Sequence, residues 1–219
     1  MNLPPKPKEF LLKTIPKPLI FAFKRIQLKR REKSDYQAWI KSNRTLPAPH
    51  LYKQELIQDY AKHFKLKTLV ETGTFLGLMM EAQAPHFEHL ISIELDYDLY
   101  RAALERFETK SKIRIVHGDS GEVIGKVVPE LKEPALFWLD GHYSGGFTAK
   151  GKSECPIYGE LESILNSPLS HVILIDDARC FNGTHDYPTI SELETYIQKI
   201  KPRMKVKTEN DVIRVEPIR

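Results

Sequence analysis

Apolar residues along this chain keep two rhythms. From Thr68 onward, short runs rich in β-favouring side chains alternate with stretches whose apolar residues recur every three or four positions, so strands take turns with amphipathic helices. Thr68, Leu69 and Val70 open the series and run into Glu71, Thr72 and Gly73; His89–Glu94, Ile113–His117, 135–139 and 171–175 read as the next four strands. Between them Leu99, Ala103 and Phe107 align on one face of a helix at Tyr97–Phe107. Val123, Ile124, Val127, Val128 and Leu131 mark a second helix, and Ile157, Leu161, Ile164 and Leu165 a third. Upstream, Tyr52, Leu56, Tyr60 and Phe64 repeat at a four-residue stride along 51–64. Downstream, Thr189 and Glu192 form a capping box that opens a helix to about Ile200. The alternating runs 204–208 and 212–216, joined by Glu209, Asn210 and Asp211, read as a hairpin. Five βα units closed by an antiparallel hairpin predict an α/β protein: a Rossmann-like, doubly wound, mostly parallel sheet with helices on both faces.

The first fifty or so residues break that rhythm. Pro4, Pro5, Pro7 and Pro16, set among lysines, predict an extended lead-in up to residue 17. Residues 18–33 then read as a basic amphipathic helix, with Leu19, Ile20, Phe23, Ile26 and Leu28 opposite Lys24, Arg25, Lys29, Arg30 and Arg31. Such a helix makes peripheral contact with an anionic membrane, binds an acidic partner, or packs its apolar side on the domain or on a second copy of the chain in a homodimer. A polar connector at 35–49 ends in Leu46-Pro47-Ala48-Pro49, which divides a basic arm and linker, 1–49, from a domain at 50–219.

Charge sharpens that division. Residues 1–34 hold ten Lys and Arg against Glu9 and Glu32, a balance of +8, while the remaining 23 basic and 27 acidic residues give −4. With 41% hydrophobic and 28% charged residues the chain reads as globular, and no apolar run approaches the ~20 residues of a membrane span. A cytoplasmic location is expected, and a nucleic-acid partner is not. Cys155 and Cys180 lack C-x-x-C spacing, which argues for reduced thiols rather than a disulfide framework or a structural zinc site.

Ligands of open α/β sheets bind beyond the carboxyl ends of the strands. Here all five ends are acidic: Glu71, Glu94, Asp119 followed by Ser120, Asp140 before Gly141 and His142, and Asp176 with Asp177. One acid caps the following helix; five in succession outline a binding rim. The first turn has the form E-x-G-x-x-x-G, in which Gly73 brings bare backbone to a ligand and Gly77 lets the next helix pack on the strand. Position 75 is Phe, so the G-x-G-x-x-G dinucleotide fingerprint is absent. Glu94 follows Glu71 by 23 residues, near the spacing at which an acid accepts hydrogen bonds from a ribose. Asp140, Asp176 and Asp177, brought to one spot by adjacent strands, would repel without a cation among them. Oxygen-only ligation suits Mg²⁺, Mn²⁺ or Ca²⁺ rather than zinc.

The E-x-G-x-x-x-G turn resembles the first motif of class I S-adenosylmethionine-dependent methyltransferases. An acid after the fourth strand with an acidic pair after the fifth resembles the metal site of the catechol-type and macrocin-type O-methyltransferases. The resemblance covers the chain from about Leu51 to its end and is closest from Thr68 to Asp177. It implies a seven-stranded sheet whose last strand runs antiparallel. It also implies that Glu71, Gly73, Thr74 and Gly77 cradle the methionine part of the cofactor, that Glu94 takes the ribose, and that Asp119 with Ser120 takes the adenine edge. Asp140, Asp176 and Asp177 would hold Mg²⁺ or Mn²⁺, and the metal would hold the acceptor oxygens and lower the hydroxyl pKa. One departure stands out: macrocin-type members carry Asp-Gly-Asp after the fourth strand, the second Asp serving as base, where this chain has Asp140-Gly141-His142. His142 is then the base, a metal ligand or a structural donor. The glycine-rich stretch from Tyr143 to Lys152 is a lid or an ordinary long loop, and His185 reads as a solvated loop histidine. The expectation is an S-adenosylmethionine-dependent O-methyltransferase, metal-assisted, with Asp140 and His142 at the chemistry and a sugar or other small hydroxyl acceptor. The alternatives are a nucleoside-binding accessory protein without transfer activity and an NAD-dependent oxidoreductase; the missing fingerprint counts against the latter.

Overall fold

Leu136, Phe137, Trp138 and Leu139, the whole of β4 (Leu136–Leu139), are buried on both sides, as a central parallel strand sandwiched between helix layers must be. The computed structural model describes residues 16–45, 47–141 and 155–218, so nearly all of the expected proline-rich lead-in lies outside the described residues. Around β4 lies a seven-stranded sheet of order β3 (Ile113–His117), β2 (His89–Glu94), β1 (Thr68–Thr72), β4, β5 (Val172–Ile175), β7 (Val212–Pro217) and β6 (Met204–Glu209). The first five strands are parallel, β7 runs antiparallel to β5, and β6 antiparallel to β7. Asn210 and Asp211, both at positive φ, make the hairpin joint, and Glu209, expected in the turn, ends the strand instead.

Strand alternation sorts the core into two layers. Leu69, Leu90, Leu136, Trp138, Val172 and Leu174 face α2 (His50–Phe64), α3 (Leu78–Gln83) and α4 (Tyr97–Phe107). Val70, Ile93, Phe137, Leu139, Ile173 and Ile175 face α5 (Ser120–Val127), α6 (Ile157–Leu165) and α7 (Ile190–Ile200). On α2 the inward stripe is Leu56, Ile57 and Ala61, while Tyr52, Tyr60 and Phe64 of the expected stripe are only partly buried. The strand order reverses between β1 and β4, whose carboxyl ends, Thr72 and Leu139, stand in register and open the crevice of a doubly wound sheet.

The N-terminal helix is longer than its pattern predicts. α1 (Lys17–Lys41) runs through the stretch expected to be a polar connector. Residues 34–41 contain neither Gly nor Pro, and tertiary contacts hold them helical. The Trp39 ring lies 4.8 Å from that of Tyr52, and Tyr36 Oη donates to Glu55 Oε2 at 2.7 Å, both partners on α2. Inward burial also differs from the expected face. Phe21 is covered and joins Leu76 and Leu99 in a small cluster, whereas Leu19, Phe23 and Ile26 are 61%, 63% and 48% exposed. No helix among the described residues is long and apolar enough to cross a membrane. Cys155 and Cys180 are not joined in a disulfide, and burial pushes the Cys155 thiol up to about 12.

Candidate functional site

The turn after β1 is built on two buried acids. Glu71 is almost fully covered and accepts a hydrogen bond from Ser92 Oγ, and Ser92 Oγ lies 2.6 Å from Thr74 Oγ1, which ties the strand end to the turn. Burial pushes the Glu71 carboxyl well above the usual carboxylate range, with Asp140 and Glu94 adding to the effect. Glu94 accepts from the Phe75 N–H at 2.7 Å and the Asp96 N–H at 2.8 Å. Burial raises its pKa against the pull of those bonds. Asp96 caps α4, accepting from the Asp98 and Leu99 N–H groups at 2.9 Å each, so Glu94 is left to the rim.

Two glycines let this turn close. Gly73 sits at φ +84°, and a Cβ there would lie 3.0 Å from the Asp140 carbonyl carbon and closer still to its oxygen. Its bareness therefore serves the packing of β1 against the end of β4 as well as any ligand. Gly77, at φ +67°, would bring a Cβ to 2.8 Å from the Phe107 ring, so it packs on α4 rather than on a strand. Asp119 caps α5 through the Gly121 N–H at 3.0 Å, and the buried Ser120 sets its Oγ against Gly141. The structure places both at the end of β3, with Asp119 serving as a cap.

The acids after β4 and β5 do come together, around an ammonium. Trp138 and Leu174 point to the α2 side, so by alternation Asp140 and Asp176 do as well. Lys53 stands one helical turn before Ile57 on the inward stripe of α2 and meets them there. Its Nζ contacts Asp176 Oδ2 and lies 3.7 Å from Asp177 Oδ1, with side chains only 14%, 1% and 15% exposed. Burial works against the Lys53 charge, but Asp176, Asp140 and Asp177 together hold it above the ordinary lysine range. Burial and Asp140 push the Asp176 carboxyl up, to about 8, against the pull of Lys53. The opposed tendencies share one origin: several carboxylates crowd one ammonium, so the lysine keeps its charge and the most buried acid takes up a proton readily.

This arrangement does not match the expected metal site. Asp176 is engaged by Lys53 and by the Asp177 N–H at 2.7 Å; Asp177 is engaged by Arg179 Nη1 at 2.7 Å, which also contacts the buried Asp211. Among the described residues no group of three His, Cys, Asp or Glu side chains is disposed to hold a metal ion. His142 and the glycine-rich stretch 143–152 lie outside the described residues.

A cavity of about 440 Å³ opens beside this cluster, with Glu71, Gly73, Thr74 and Asp140 from the sheet edge in its lining. Leu28 and Trp39 of α1 and His50 and Lys53 of α2 complete it, so the segment expected to be a separate arm contributes a wall. His50 Nδ1 lies 3.1 Å from Glu32 Oε1, and the buried Trp39 Nε1 has no hydrogen-bond partner among the described residues. Lys53, Trp39, His50 and Ser92 escaped the sequence reading. Only Lys53 left a signal, a charged residue in step with Ile57 and Ala61.

No protein-family model and no curated protein sequence matches the chain. Solved structures do. An O-methyltransferase of Bacillus cereus in complex with SAH aligns with a TM-score of 0.55 at 14% identity, over 85% of this chain and 90% of that one. An SAH-bound methyltransferase of Podospora anserina aligns with a TM-score of 0.51 at 14% identity, over 99% of each chain. An S-adenosylmethionine-dependent methyltransferase of Clostridium acetobutylicum aligns with a TM-score of 0.53 at 9% identity, over 85% and 97%. At such identities the likeness is one of architecture: this chain has the Rossmann-like fold of S-adenosylmethionine-dependent methyltransferases.

Proposed function

We propose that the protein is an S-adenosylmethionine-dependent O-methyltransferase that methylates a hydroxyl of a sugar or another small acceptor. The observation that carries this reading is the convergence of Glu71, Gly73, Thr74 and Asp140 on one cavity at the point where the strand order reverses. The residues suit the cofactor. Buried Glu71 and Glu94 offer carboxylate oxygens to its amino and ribose groups, and Gly73 keeps the turn free of side-chain bulk. S-adenosylmethionine, when bound, supplies a methyl group that an acceptor oxygen displaces from sulfur, the electron pair of the broken carbon–sulfur bond staying on sulfur.

The remaining work falls to the chain. Leu28, Trp39 and Met79 line the cavity with apolar surface that excludes water, which strengthens polar contacts within it. Asp140 and Lys53 present an acid and an ammonium to whatever lies there. The acceptor proton must leave as the new carbon–oxygen bond forms, and His142, next to Gly141 in the chain, is the candidate to take it.

Titration calorimetry tests the reading directly. The full chain should bind S-adenosylhomocysteine with one-to-one stoichiometry and should not bind NAD. Glu94→Ala should weaken S-adenosylhomocysteine at least about tenfold, the scale of a charge-assisted hydrogen bond. Binding of NAD in place of S-adenosylhomocysteine would transfer the chain to the oxidoreductases.

A further inference from the structure

The three aspartates at the ends of β4 and β5 call for positive charge, and a lysine from another element delivers it. Asp140 and Asp176 are directed by strand alternation to the face that α2 covers, and Lys53 is directed by helical periodicity to the face of α2 that covers them. Its side chain is largely covered, and its ammonium contacts Asp176. Asp177 Oδ1 is also held by Arg179, which is itself anchored on the buried Asp211 of the β6–β7 joint.

We propose that Lys53 is the built-in cation of this cluster. Its ammonium sits against Asp176 and Asp177, where a divalent ion would otherwise be drawn, and it presents a positive charge to the cavity. The cation is thus covalently tethered. An ammonium carries three N–H donors and no vacant orbital, so it holds an acceptor oxygen by hydrogen bonding rather than by ligation. It lowers the pKa of a bound hydroxyl less than a divalent ion does. Lys53, held by Asp176 behind the cavity wall, meets the acceptor directly and leaves proton removal to a separate base. The inference rests on the methyltransferase reading for what the cavity holds, whereas the tethered cation stands without it.

Mn²⁺ alone is the probe, followed by electron paramagnetic resonance on the full chain. Wild type and Lys53→Arg should bind Mn²⁺ no better than scattered surface carboxylates do. Lys53→Met, which keeps the stem and removes the charge, should bind one Mn²⁺ at least about tenfold tighter, because the vacated carboxylates recover a cation. Adding Asp176→Asn to Lys53→Met should abolish that gain. S-adenosylhomocysteine titration of each variant reports that it is folded and tests the functional reading separately. The proposal is overturned if wild type binds one Mn²⁺ in a manner lost on Asp176→Asn, a result that depends on no Lys53 variant. It is equally overturned if folded Lys53→Met gains no Mn²⁺ binding.

Discussion

Gly73 shows how one residue couples strand, turn and ligand edge. Its φ of +84° is open to glycine, and the space a side chain would need is filled by the Asp140 backbone. Gly73→Ala therefore meets two penalties at once, backbone strain and a clash with β4 that no rotamer relieves. We expect a loss of more than about 2 kcal/mol in denaturant unfolding and a large drop in S-adenosylhomocysteine affinity. A variant that unfolds and binds like wild type would show that the turn relaxes freely. Glu71 and Glu94 make the complementary point: each is a buried acid held by hydrogen bonds from a serine or from backbone N–H groups.

Among the elements, α1 is the one whose role changes most on folding. Phe21 sits against Leu76, two residues from the short helix α3 and within the turn after β1, while Phe23 points outward. Phe21→Ala should cost about 3 kcal/mol and weaken S-adenosylhomocysteine through the loosened turn, whereas Phe23→Ala should stay within about 0.5 kcal/mol of wild type. Equal effects from the two substitutions, measured by urea unfolding, would mean that α1 does not dock as described. The ion pairs of Lys17 with Asp98 and Lys29 with Glu81 are exposed, so they guide α1 more than they stabilise it.

For the molecule as a whole, acid sensitivity has an identifiable contributor away from the cavity. His171, just before β5, accepts the Ala135 N–H on Nδ1 at 3.0 Å, and its Nε2 lies 3.0 Å from Ser167 Oγ. That geometry requires the neutral ring, and burial, aided by Lys201, lowers its pKa from 6.5 to about 4. The unfolded chain then binds a proton that the folded chain refuses, so folding stability falls as pH drops from 6.5 to about 4 and levels off below. The buried Asp176 works in the opposite sense, because a raised carboxyl pKa favours the folded state at low pH and costs stability as pH rises toward about 8. The His171 contribution is isolated by comparison with His171→Gln. The stability advantage of wild type over that variant should shrink by on the order of 2 kcal/mol across the lower window. A pH-independent difference would remove His171 from the account.

What the amino-acid order determined by itself is local. Apolar periodicity marks the five parallel strands and the closing hairpin because each depends on neighbours a few residues away, and the acidic strand ends follow from where those runs stop. The glycine turn at Gly73 was legible for the same reason, since a backbone demand writes itself into one residue type. Tertiary structure decided what the acids face. Whether Asp140, Asp176 and Asp177 meet a free ion or an ammonium depends on which helix covers that side of the sheet and on the phase of its stripe, and α2 lies far from both strand ends in sequence. The length of α1 was hidden likewise: Trp39 and Tyr36 extend the helix by packing on Tyr52 and Glu55, and a polar stretch carries no trace of such partners until the chain has folded.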